Sequence, residues 1–115
     1  VSRYEVTYGE NFLAAARAIY PESRSLEYSG PTFHEFMALP VRAVRLMFGR
    51  EWETLPSEVG SPVRTVILPP SGVFGPIVFF GILVARSTGS VVEITGFEAH
   101  RDYWEQFDDP DAAED

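Results

Sequence analysis

Residues 77–86, IVFFGILVAR, constrain the fold more than any other stretch of the chain. Side chains alternate between the two faces of a strand. Ile77, Phe79 and Leu83 therefore share one face, and Val78, Phe80, Ile82 and Val84 the other. A strand that is apolar on both faces lies inside a sheet and needs cover above and below. Its flanks supply neighbours. VRTVILPP precedes it across the turn-rich SGVFGP, and SVVEITGF follows across the hairpin signal STGS. Pro69 and Pro70 end the first of these strands because they donate no ladder hydrogen bond. Both flanking strands are more mixed: Arg64 shares a face with Val66 and Leu68, and Glu93 with Val91 and Thr95.

The upstream half reads as a strand followed by helices. RYEVTY alternates and ends at Gly9. ENFLAAARAIY is alanine-rich and puts Phe12, Ala15, Ala16 and Ile19 on one face. Asn11 is a candidate cap for a slightly later start, and Pro21 stops the helix. PESRSLEYSGP is a connector rich in turn formers. Thr32 then stands three residues before Glu35, the spacing of a capping box, in a helix carrying Phe33, Phe36 and Met37. Pro40 predicts a break or kink. VRAVRLMFGREWETL resumes helical periodicity, with Arg42 and Arg45 on the side opposite its apolar face. Gly49 costs that helix about 1 kcal/mol relative to alanine. A helical segment or tail is expected at FEAHRDYWEQF.

The expected fold is α+β: an N-terminal strand and two to three helices packed on an antiparallel β-sheet that ends in a three-stranded meander. Two short helices do not readily cover both faces of the middle strand. Either residues 21–40 fold over the second face, or a partner or a second copy covers it.

Composition sets the outer limits. The 115 residues suit a single domain, assigned to 1–107, and an apolar content of 45% suffices for one small core. Without cysteine there is neither a disulfide framework nor a thiolate nucleophile. VSRYEVTYGE has no leader-like apolar run, and VFGPIVFFGILVA is too short and interrupted to span a bilayer, so a soluble cytoplasmic protein is expected, with no membrane partner. The net charge of −8 is concentrated at one end. Residues 98–115 hold eight acids against Arg101 alone, whereas residues 1–97 carry a net charge of only −1. An acidic, disordered tail is expected at 108–115. Every base is arginine, which favours planar bidentate contacts over mobile point charges.

The chemistry-bearing residues gather after the last strand, at His100, Arg101, Tyr103 and Trp104. A histidine there is placed for acid–base work, an arginine for stabilising a phosphorane-like charge, and an aromatic ring for stacking on a base. The plainer reading is a final helix with aromatics docked on the core. His34 and His100 lie on separate elements without metal-ligand spacing, so neither zinc nor another cofactor is expected. No P-loop, GxGxxG or GxSxG pattern occurs.

The segment from Val63 to Trp104 resembles the C-terminal half of RelE/ParE-type toxins of bacterial toxin–antitoxin systems. VRTVIL, IVFFGILVA, VVEITGF and HRDYW carry the likeness, and YEVTYGENFLAAA is similar to the family's opening strand and helix. The resemblance implies a metal-independent, ribosome-dependent mRNA endoribonuclease neutralised by a small antitoxin. Carried over residue by residue, it implies phosphate contacts from Arg64 and Arg101, acid–base work by His100, and a stacking or activating role for Tyr103. The ribose 2′-hydroxyl would attack its own phosphodiester. The chain departs from the family in lacking lysine and in its acidic end, which disfavour ribosome binding. The alternative is a non-catalytic protein-binding α+β domain, either a degenerate toxin homologue or a ParE-like binder of a protein target.

Overall fold

A computed structural model describes residues 3–103. Trp104 and the expected tail at 108–115 lie outside the described residues. Strand β1 (Glu5–Tyr8) leads into α1 (Glu10–Ile19). A connector follows, then α2 (Phe33–Phe36), a π-helical turn (Met37–Val41) and α3 (Arg42–Glu51). A 3₁₀ turn (Trp52–Thr54) and a loop lead to β2 (Arg64–Leu68), β3 (Ile77–Arg86) and β4 (Gly89–Ala99).

The sheet order is β1-β4-β3-β2, with β3 central and apolar as expected. The β2–β3–β4 meander is antiparallel, but β1 pairs parallel with β4, Val6 opposite Val92. The sheet is therefore mixed, which corrects the expectation of an antiparallel one. Alternation in RYEVTY specifies which side chains face the core but is the same for either strand direction. Parallel pairing needs only a long crossover, and the chain between β1 and β4 supplies it.

Local signals account for most element boundaries. Thr32 accepts from the Glu35 amide at 3.2 Å while Glu35 accepts from the Thr32 amide at 3.0 Å, a complete capping box. Glu35 also meets Arg24 at 2.5 Å. The α1 helix starts without a side-chain cap: Gly9, rather than Asn11, is the boundary residue, and its amide donates to the Ile94 carbonyl. Pro40 does not break the chain's helical course. The backbone absorbs it as a π turn, with Pro40 and Val41 buried. Gly49 is buried, and its carbonyl accepts from the Arg3 and Tyr4 amides, tying the start of the described chain to α3.

One face of the sheet carries the core. Val6, Val66, Ile77, Phe79, Val92 and Ile94 join Phe12, Phe36, Val44 and Phe48 of the helices in one buried cluster. Phe36 packs against Phe12, Tyr20, Phe79 and Phe97, so the residue 21–40 segment lies on the same face as α1. It does not fold over the second face. Phe80, Ile82 and Val84 point to that side and are half-buried, while Ile67 beside them is 66% exposed. A bulge between Phe80 and Gly81 shifts the β3–β4 register there.

Candidate functional site at the carboxyl end of β4

The sequence continues as strand to Ala99 and then turns through residues 101–103, so the described part of the expected final helix is a strand end and a turn. The His100 amide donates to the Pro76 carbonyl at 3.1 Å, and the Tyr103 amide to the His100 carbonyl at 3.3 Å. Gly75 makes this turn possible. A Cβ at Gly75 would stand 2.4 Å from the His100 carbonyl oxygen and 2.6 Å from the Tyr103 Cβ. His100 Nε2 lies 3.3 Å from Asp102 Oδ1, and its ring meets the Tyr103 ring edge-on at 5.5 Å.

Above this turn lies a cavity of about 300 Å³ between the end of α1, residues 27–31, residues 73–75 and the end of β4. Its floor is apolar, with Phe74, Ile77 and Ala99, and its polar lining includes Tyr20, Tyr28, His100 and Arg101. The Ser25 hydroxyl accepts from the Glu27 and Tyr28 amides and folds the connector inward. Tyr28 then donates to the Pro31 carbonyl at 2.5 Å, with its ring packed where a side chain on Gly30 would stand. Tyr20 is 3% exposed and stacks on Phe36 at 4.6 Å. Among the described residues no hydrogen bond satisfies its hydroxyl, which opens onto the cavity. Burial pushes the Tyr20 phenol up to about 12; Tyr28 adds to the rise and the Arg101 guanidinium opposes it. Burial also raises Tyr28, against Arg101 and Arg24. Both phenols are therefore neutral donors at ordinary pH, beside a guanidinium that pairs with no carboxylate among the described residues.

Arg64 is elsewhere. It pairs with Gly81, and Gly81 with Ile94, whereas the His100 end of the sheet is the row Leu68, Ile77, Ala99. Four residues of strand separate those rows by about 13 Å, and two strand spacings add about 9 Å across the sheet. The Arg64 side chain turns toward α3, where Nη1 donates to the Trp52 carbonyl and the guanidinium lies 5.2 Å from the centre of the Trp52 ring. The structure thus brings His100, Arg101 and Tyr103 together and leaves Arg64 at the far end of β2. His34 is exposed on α2, and among the described residues no group of three or more histidine or acidic side chains is arranged to hold a metal ion.

Sequence reasoning missed Tyr20, Tyr28 and Gly75. An aromatic residue in a turn-rich connector, and a glycine flanked by Phe74 and Pro76, are the available signals. Neither reveals which distant segment it meets.

A second concavity, of about 620 Å³, runs between the π turn with α3 and the β2–β3 loop. Leu39, Leu46, Leu68 and Arg42 line it, and it shares Val73, Phe74, Gly75 and Ile77 with the first cavity. Leu39 is 59% exposed, and Arg42 has no ion pair among the described residues. No helix among the described residues is long and apolar enough to cross a membrane. No family model, curated protein or solved structure matches the chain.

Proposed function

We propose that this chain is a toxin-like α+β domain that acts by binding a protein rather than by cutting RNA. One observation carries the choice between the two activities: the Arg64 guanidinium is occupied by the Trp52 carbonyl and ring, four strand residues along and two strands across the sheet from the row that leads into His100. In-line attack by a 2′-hydroxyl needs a base, an acid and cationic stabilisation within reach of one phosphate. Arg64 is not available for that stabilisation. The toxin-like part of the reading rests on the order of elements and on the residues quoted above.

The groove beside Leu39 and Leu46 is the binding surface in this reading. It suits the apolar face of a partner helix, with an acidic residue of the partner meeting Arg42. A small antitoxin or a target protein supplies that chemistry. A second reading, a metal-independent endoribonuclease, is favoured by the convergence of His100, Arg101 and Tyr103 on one turn. Overexpression separates the two. Binding predicts growth arrest with intact mRNA, lost in Leu39→Asp and Leu46→Asp and kept in His100→Ala. Cleaved mRNA with growth restored by His100→Ala would establish the nuclease instead, and harmless overexpression would remove the toxin-like reading.

A further inference from the structure

The cavity at the end of β4 is assembled from segments far apart in the sequence, and its lining combines the donors of Tyr20 and Arg101 with one acid, Glu27, at the rim. Tyr20 is almost wholly buried as a residue; its hydroxyl makes no hydrogen bond among the described residues and reaches solvent through the cavity. Arg101 is exposed at the rim and lacks a carboxylate partner there. The Tyr28 hydroxyl already donates its hydrogen bond to the Pro31 carbonyl, so its ring serves as a wall. An unspent hydroxyl and an unspent guanidinium beside an apolar floor of Phe74, Ile77 and Ala99 need an acceptor that bears negative charge and is attached to an apolar body.

We propose that the cavity between Tyr20, Tyr28, Phe74 and Arg101 binds a small aromatic carboxylate, its ring on Phe74 and Ile77 and its carboxylate between the Tyr20 hydroxyl and the Arg101 guanidinium. The volume of about 300 Å³ is at the small end of the range for ligand pockets, which suits one or two fused rings. Glu27 at the rim adds a negative charge that favours a monoanion over a dianion. Neither proposal needs the other: the cavity and the groove beside Leu39 share Val73, Phe74, Gly75 and Ile77 as a common wall, but Tyr20 and Arg101 line the cavity alone and Leu39 and Leu46 the groove alone.

The test is titration of the full chain with 2-naphthoate and, separately, with its neutral analogue 2-naphthamide, followed by amide chemical shifts and calorimetry. The proposal expects saturable naphthoate binding that moves the Gly75, His100 and Arg101 amides. It expects naphthamide to bind at least tenfold more weakly, and Arg101→Gln and Tyr20→Phe each to weaken naphthoate severalfold. Tyr20→Phe should leave the melting temperature unchanged or slightly raised, because its hydroxyl holds no protein acceptor. Equal binding of acid and amide, undiminished binding by Arg101→Gln, or no binding at millimolar naphthoate would overturn the proposal. So would a marked loss of stability in Tyr20→Phe, which would show the hydroxyl already spent within the protein.

Discussion

Arg64, at the start of β2, and Arg101, just past the end of β4, stand well apart on one sheet and show how differently a guanidinium can be used. At the β2 start, Arg64 is half-buried against Trp52, donating to its carbonyl and lying over its ring. At the β4 end, Arg101 is exposed at a cavity rim, near two neutral phenols and paired with no carboxylate among the described residues. The first closes the seam between α3 and the sheet. The second leaves charge available to something else. A cation whose contacts are internal supports the fold, and one whose surroundings are built but unsatisfied marks a place for a ligand.

The comparison breaks most visibly at Trp52, which is 4% exposed and packs on Phe48. Trp52→Ala should cost about 3–5 kcal/mol in denaturant unfolding. At the other end, Gly75→Ala forces a Cβ into backbone that has no alternative position, because the His100 amide is held by Pro76. It should cost about 1–3 kcal/mol and close the cavity, which loss of the Tyr20 and Tyr28 chemical-shift environments would report. The arginines themselves should diverge. Arg64→Met removes a charge-assisted hydrogen bond and a cation–π contact and should cost about 1–3 kcal/mol, whereas Arg101→Gln should stay within about 0.5 kcal/mol of the parent. Equal costs would erase the distinction.

Smaller effects follow from titration. The Tyr20 phenol is raised to about 12 from an ordinary 10.0, so its contribution to stability is complete below pH 10 and is lost as pH rises toward 12. Tyr20→Phe should remove that alkaline loss, and ultraviolet titration should show one fewer late-ionising phenol. Glu35 is held below its ordinary 4.5 by its hydrogen bond from Arg24 and by the Thr32 amide. Its contribution is present above pH 4.5 and disappears as pH falls through the lowered value. Glu35→Gln should flatten the acid limb of the melting-temperature profile slightly, since the pair is solvent-exposed.

Much of the fold was legible because it is written locally. The two-sided apolar run of β3 fixed the central strand, Thr32 and Glu35 fixed a helix start, and Gly89 at φ +124 closes the hairpin expected at STGS. What failed depended on distant pairings. The direction of β1 is set by β4, more than eighty residues away in sequence, and its four residues alternate identically either way. Pro40 was readable as a perturbation, but whether the helix breaks or widens is decided by the burial of Val41 and Pro40. The candidate site was half legible. His100, Arg101 and Tyr103 are adjacent in sequence and remain together, whereas Tyr20, Tyr28 and Gly75 join them only through tertiary folding. Arg64 opens β2 and His100 follows β4; the first and third strands of an antiparallel meander run the same way, so the distance between the two was implicit in the expected topology.

The internal use of Arg64 is tested most directly by its nuclear Overhauser contacts in the intact chain. The account predicts cross-peaks between the Arg64 side-chain protons and the Trp52 indole, with upfield ring-current shifts at Arg64. Cross-peaks from Arg64 to His100 or Tyr103, with none to Trp52, would contradict it.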